Sequence, residues 1–200
     1  MKEKIIIICG PTAVGKSAVA VKLAKRFGGE IVSADSRQVY RGMDIGTGKI
    51  TKEERQGIRH HMIDIASPRR TYTAARFVRD ADRAIRGIVR RKKLPIVCGG
   101  TGFYSDALLR RIVPAPVPPN AKLRRALSVF SPDILFEKLR SQDPERARTI
   151  DPHNKVRLIR ALEIVDALGA VPPRPKGRSP YLALSIGITL PREILRARIA

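Results

Sequence analysis

The chain has no tryptophan, and aromatic residues fill only 4% of its 200 positions. Cysteine is nearly as scarce. Cys9 and Cys98 lie in separate apolar segments, with no metal-ligand or redox spacing between them. That argues against a disulfide framework and predicts two buried free thiols in a reducing cytoplasm. No apolar run approaches the length of a membrane span. The short run behind the charged residues 1–4 is broken at once by Gly10-Pro11, which argues against a signal peptide. A cytoplasmic protein without a membrane partner is therefore expected. Acidic residues are the remaining shortage: 18 Asp and Glu face 40 Lys and Arg, a net charge of +22. Such an excess calls for a polyanionic partner. RNA, DNA or an anionic membrane surface would satisfy it, and nucleic acid is the leading expectation.

What is present can build a core, since 43% of the residues are hydrophobic. Ile5 to Cys9 is unbroken apolar sequence, as in a strand buried on both faces of a parallel sheet. A glycine-rich turn, Gly10 to Gly15, follows. Val19, Ala20, Leu23, Ala24 and Phe27 then recur at helical spacing until Gly28-Gly29. A second strand is predicted over Glu30 to Ala34, completing a strand-loop-helix-strand unit. A short helix is expected within 51–68, an amphipathic helix over Thr73 to Val89, and a third buried strand over Leu94 to Cys98. Another helix begins at Gly102. Pro114, Pro116, Pro118 and Pro119 break the pattern and mark a boundary. The reading is a core over 1–114, a basic helical insertion over 115–150 and a return to the core over 151–200. The long helix near 153–168 is expected to turn Val156, Ile159, Leu162 and Val165 inward. Tyr181 to Leu190 reads as a further strand. Residues 191–200 start a helix with no cap or breaker, so the domain is expected to continue.

Gly10-Pro11-Thr12-Ala13-Val14-Gly15-Lys16-Ser17 has two glycines, a lysine and a hydroxyl in Walker A spacing, between an apolar strand and a helix. Backbone N–H groups at such a helix start form an anion cradle. Gly15 permits close approach, Lys16 reaches the outer phosphate, and Ser17 can ligate Mg2+ held by the phosphates. The fold class is thus α/β, a P-loop NTPase-like three-layer sandwich with a parallel central sheet and a helical insertion. The motif does not say which phosphate compound binds. No carboxylate follows Leu94 to Cys98, where Gly99-Gly100-Thr101 stands. Asp35 does end the second strand, where a base could face the phosphate loop. A kinase of a small metabolite or nucleoside fits these facts, with Asp35 activating its acceptor. Just past Asp35, Gln38 could read a base edge and Tyr40 could stack on a base. His60, His61 and Asp64 do not make a persuasive metal site, since adjacent histidines diverge.

The motifs GPTAVGKS at 10–17, DSRQVYRGMDIGTGK at 35–49, HHMIDI at 60–65, GGTGFY at 99–104, DPHNKVRLIRALEI at 151–164 and LRARI at 195–199 follow one another in the chain. In this order they resemble the bacterial tRNA dimethylallyltransferase family. The resemblance implies transfer of a dimethylallyl group from dimethylallyl diphosphate to N6 of adenosine 37, beside the anticodon of tRNA. It implies that Asp35 is the general base and that Thr101 hydrogen-bonds at the reacting centre. Gly10, Thr12, Ala13, Gly15, Lys16, Ser17 and Arg198 would hold the diphosphate. Mg2+ would bridge it to Ser17. Ser36, Arg37 and Gln38 would meet the tRNA near the base. Lys122, Arg124 and Arg125 would hold the phosphates of the anticodon stem-loop. Arg160 would face the site and meet the tRNA, or pair with Glu163 inside its own helix. A monomer is expected. The family usually has alanine where this chain has Gly48. A non-catalytic RNA-binding protein is the other alternative, but it would have no use for Lys16, Ser17, Asp35 and Thr101 together.

Overall fold

The computed structural model describes residues 2–112, 114–173 and 177–199. Part of the proline- and arginine-rich stretch after Val171, residues 174–176, lies outside them. In chain order the first elements are β1 (Glu3–Cys9), α1 (Lys16–Phe27), β2 (Gly29–Ser33), α2 (Lys52–Arg55), β3 (His60–His61) and α3 (Ala74–Arg90). Next come β4 (Leu94–Gly99), α4 (Gly102–Leu108), α5 (Ala121–Ser128), α6 (Pro132–Gln142) and α7 (Pro144–Ala147). Then follow α8 (Lys155–Leu168), β5 (Tyr181–Gly187) and α9 (Arg192–Ile199). The chain forms two compact units, Met1–Val113 with Pro175–Ala200, and Pro114–Arg174.

The first unit is built on a parallel sheet in the order β3-β2-β4-β1-β5. β1 lies between β4 and β5, so its isoleucines meet apolar layers on both faces, as an unbroken apolar strand requires. On one face Ile5, Ile7, Val32 and Val97 pack with Phe77, Ala81, Ile85 and Ile88 of α3. On the other, Ile8, Ile31 and Ile96 pack with Ala20, Val21 and Ala24 of α1. Fully burying one such side chain is worth about 1.5–3 kcal/mol. Thr73 caps α3, accepting from the Arg76 N–H at 3.2 Å. Cys9 and Cys98 are free thiols on adjacent strands, and burial pushes Cys98 up to about 11. No helix among the described residues is long and apolar enough to cross a membrane.

One carboxylate is buried at the opposite end of this sheet. Glu30, on β2, is 2% exposed and accepts from Arg91 Nε and Nη2 at 3.0 and 2.7 Å. His61 Nε2 lies 2.7 Å from Glu30 Oε2, the oxygen that Arg91 Nη2 also meets. The Arg91 hydrogen bonds outweigh burial and hold Glu30 at about 2, below its ordinary 4.5. A depressed carboxyl contributes stability above its unfolded pKa and loses it as pH falls through the folded one. The contribution should therefore be complete above about 4.5 and fade toward about 2. Glu30→Gln is expected to cost about 3 kcal/mol at neutral pH. Urea unfolding of the variant should also show a shallower loss of stability below pH 4.5.

The second unit differs from the boundaries expected from sequence. It runs to Arg174, not to residue 150, because α8 belongs to it. Leu158, Ala161, Leu162 and Val165 of α8 pack with Leu127 of α5 and with Leu135 and Leu139 of α6. That seam corrects the expected inward face, since Val156 is 78% exposed. Asn120, Ser131, Asp143 and Asn154 cap the four helices of this unit in turn. Glu163 is 1% exposed and takes Arg124 Nε at 2.8 Å, Arg124 Nη2 at 2.7 Å, the Asn120 N–H at 2.6 Å and Arg160 Nη1. Burial alone would raise this carboxyl, but these donors outweigh it and bring it to about 2.

Candidate active site

The site grows from the carboxyl ends of β1, β2 and β4, where a parallel sheet opens a crevice. After β1 the chain must turn sharply into α1. Ala13 and Gly15 do so with φ of 63° and 91°. Gly10 lies so close to the end of β5 that an added Cβ would stand 2.2 Å from the Ile188 carbonyl oxygen. The loop between them frames a cavity of about 760 Å3. Lys16 is half-buried there, and its Nζ donates to the Pro11 carbonyl at 2.6 Å. Burial lowers the Lys16 pKa, opposed by the charges of Cys98 and Asp35. Ser17 follows it, exposed to the cavity. Arg198, on α9, donates from Nη1 to the Ala13 carbonyl at 3.2 Å.

Asp35 faces the same cavity from the end of β2. Its Oδ1 accepts from the N–H groups of Arg37 at 2.8 Å and Gln38 at 3.3 Å. Both bonds fall on one oxygen, so the loop fixes the carboxylate and Oδ2 is left to an incoming donor. Thr101 joins the ends of β4 and β2. Its Oγ1 accepts from the Ser36 N–H at 3.2 Å and lies 3.4 Å from Ser36 Oγ. Where these parallel neighbours end, an added Cβ on Gly99 would come within 2.2 Å of the Ala34 carbonyl oxygen. Thr12, Ala13, Gly15, Lys16, Ser17, Asp35, Arg37, Gln38 and Arg198 thus share one cavity. Gly10, Ser36 and Thr101 are not among its lining residues, although Ser36 adjoins Asp35 and Thr101 adjoins Gly100, which are.

Two expectations change here. Gln38 Nε2 donates to the Gly48 carbonyl at 3.1 Å, so its amide ties two loops together. Tyr40 packs against the core on the α3 side, and its hydroxyl accepts from the Tyr72 N–H at 3.1 Å. That anchorage replaces the expected base stacking. Gly48 itself has φ +54°, where alanine is strained. Of the basic residues expected to meet RNA, Arg37 lines this cavity, and Lys122, Arg124, Arg125 and Arg160 lie in the second unit. Lys122 and Arg125 are exposed. Arg124 is committed to Glu163, and Arg160 also donates to the Val117 carbonyl at 2.8 Å.

The sequence reading missed Lys49. Its side chain is 4% exposed, and Nζ bonds Asp64 Oδ1 at 2.5 Å, Asp44 Oδ1 at 2.6 Å and the Tyr40 carbonyl at 2.8 Å. Burial would lower its pKa, but the two carboxylates outweigh it and raise it. This clamp holds residues 41–50, of which Gly46, Thr47, Gly48 and Ile50 line the cavity. Lys49→Met is expected to cost about 1 kcal/mol overall, because Asp44 and Asp64 are 67% and 45% exposed and regain water. Hydrogen exchange of the amides at 44–48 should accelerate about tenfold, as in local opening. His60 also lines the cavity, with Nδ1 2.8 Å from the Ile58 carbonyl. His61 turns away to Glu30. No cluster of three or more His, Cys, Asp or Glu suited to a metal occurs among the described residues.

A family model described as IPP transferase matches residues 38–200. The chain is 48% identical to a tRNA dimethylallyltransferase of Thermomicrobium roseum, over 99% of this chain and 62% of that protein. It is 43% identical to one from Anoxybacillus flavithermus, over 100% of this chain and 65% of that protein. The full-length tRNA isopentenylpyrophosphate transferase of Bacillus halodurans superposes with a TM-score of 0.67 at 42% identity, over 99% of this chain and 64% of that one. A eukaryotic dimethylallyltransferase captured acting on tRNA superposes at 0.79 with 30% identity, over 98% of this chain and 50% of that one. The chain spans 62–66% of the length of the first curated relatives that it matches.

Proposed function

Because this chain belongs to the IPP transferase family, we propose that its cavity binds dimethylallyl diphosphate and passes the dimethylallyl group to N6 of adenosine 37 in tRNA. The observation that carries the proposal is the shared cavity: a phosphate loop and a fixed carboxylate face the same space. The relatives named for this reaction, and the neighbour captured acting on tRNA, support it.

In the reaction an N6–C bond forms as the allylic C–O bond breaks. The electron pair leaves with the diphosphate, and the N6 proton passes to Asp35. A base amine is a poor nucleophile, so losing its proton as the bond forms lowers the barrier. Lys16, Arg198 and the loop N–H groups hold the diphosphate and stabilise the charge that gathers on it. Thr101, fixed by Ser36, places its hydroxyl beside the reacting centre. Magnesium fits the oxygen donors that line the cavity. Ser17 and the diphosphate oxygens would hold Mg2+, which keeps water ligands and seldom uses an all-protein cage. When bound it neutralises charge on the diphosphate.

The acceptor base must leave its stack, which costs less in a loop than in a duplex. Ser36, Arg37 and Gln38 would border it. Lys122 and Arg125 offer phosphate contacts that position RNA without reading sequence. Arg124 and Arg160, through Glu163, would hold the helices that carry them. The test is transfer of labelled dimethylallyl to tRNA transcripts that differ only at position 37. The proposal predicts label on the adenosine transcript and none on the guanosine transcript. Equal labelling of both would overturn the acceptor assignment.

A further inference from the structure

β3 turns its two histidines to opposite faces of the sheet, as neighbouring strand residues do. His60 lines the cavity described above. His61 borders a second cavity, of about 560 Å3, on the α3 side. Its floor is apolar, made by Met62, Ile65, Ala84 and Gly87. Its wall is cationic, with Arg76, Arg79 and Arg83 from successive turns of α3 and Arg91 just past its end.

Arg91 is committed to Glu30. The other three arginines share one carboxylate. Asp80 lies 3.7 Å from Arg76 Nε, 3.3 Å from Arg79 Nε and 3.8 Å from Arg83 Nη1, and it also accepts from Tyr72 Oη at 2.9 Å. A carboxylate offers about four acceptor positions, whereas each guanidinium carries five N–H donors. Most donors on this wall are therefore left for another acceptor. Arg79 and Arg83 are 66% and 75% exposed. Gly87 adds a second observation. Glycine inside a helix costs about 1 kcal/mol against alanine. Here an added Cβ would meet only Arg91 Nη1, at an ordinary 3.5 Å. Packing does not demand glycine at this position, and its missing side chain widens the floor.

An apolar floor beside a guanidinium wall suits a ligand with a flat face and an anionic edge. We propose that this groove binds a nucleotide of single-stranded RNA, with its phosphodiester on Arg79 and Arg83 and its base against Met62 and Ala84. The net charge of +22 favours a polymer of phosphates. This contact is separate from the phosphate-loop cavity and does not depend on prenyl transfer.

The chain has three methionines, so methyl-13C methionine NMR reads the groove directly at Met62 and the other site's loop at Met43. Titration with a short single-stranded oligoribonucleotide is expected to shift the Met62 signal saturably. Arg79→Gln with Arg83→Gln, both on the surface, should weaken the binding read at Met62 about tenfold and leave any Met43 response unchanged. A Met62 signal that stays still while fluorescence anisotropy shows the RNA bound would overturn the proposal. So would an unchanged midpoint in the double variant. An equal shift with inorganic phosphate alone would replace RNA by a free anion.

Discussion

Asp35→Asn is expected to slow the proposed dimethylallyl transfer by about 100- to 10,000-fold, the usual range for loss of a general base, and to leave binding of dimethylallyl diphosphate unchanged. The expectation rests on where the hydrogen bonds fall. Asp35 Oδ1 already accepts the Arg37 and Gln38 N–H groups, and an amide oxygen can do the same. The loop after β2 therefore keeps its course in the variant. What disappears is the capacity to take a proton. Single-turnover transfer and equilibrium binding of the diphosphate, measured side by side, separate the two. Equal loss of binding and rate would make Asp35 a structural residue and not the base.

Lys16→Met is expected to cost about 100- to 1,000-fold in transfer and to weaken diphosphate binding as well. The ammonium sits half-buried within the phosphate loop, held at the Pro11 carbonyl. In the proposed reaction it would meet the charge that accumulates as the allylic C–O bond breaks. Asp35→Asn should spare binding, so the two variants part on that measurement. Burial lowers the Lys16 pKa below its ordinary 10.5. Binding of dimethylallyl diphosphate should accordingly weaken on the alkaline side before an ordinary lysine would lose its proton. A pH profile of the binding affinity checks this, and Lys16→Met should lack that limb.

The phosphate loop was legible in sequence because its information is local. Eight consecutive residues hold the glycines, the lysine and the hydroxyl, and an apolar strand and an amphipathic helix flank them. β1, α1 and β4 were readable for the same reason, since strand and helix periodicity are short-range. Lys49 was not readable. Its partners Asp44 and Asp64 lie in loops, and no periodicity marks a buried ammonium between them. β3 has two residues, His60 and His61, too few to alternate visibly, and only pairing with Ile31 and Val32 makes it a strand. The extent of the helical unit escaped for another reason. The apolar face of α8 shows that the helix is buried, but not which core buries it. Tyr40 illustrates the same limit, because its hydrogen bond reaches Tyr72, 32 positions away.

In the proposed reaction the phosphate loop holds a leaving group and not a nucleotide to be hydrolysed. The most direct test incubates the protein with labelled dimethylallyl diphosphate, Mg2+ and tRNA, without ATP, and counts prenylated adenosine and released diphosphate together. Both are expected to appear in equal amounts, and ATP is expected to add nothing. Phosphorylation of an acceptor that requires ATP, with no prenylated adenosine, would contradict it.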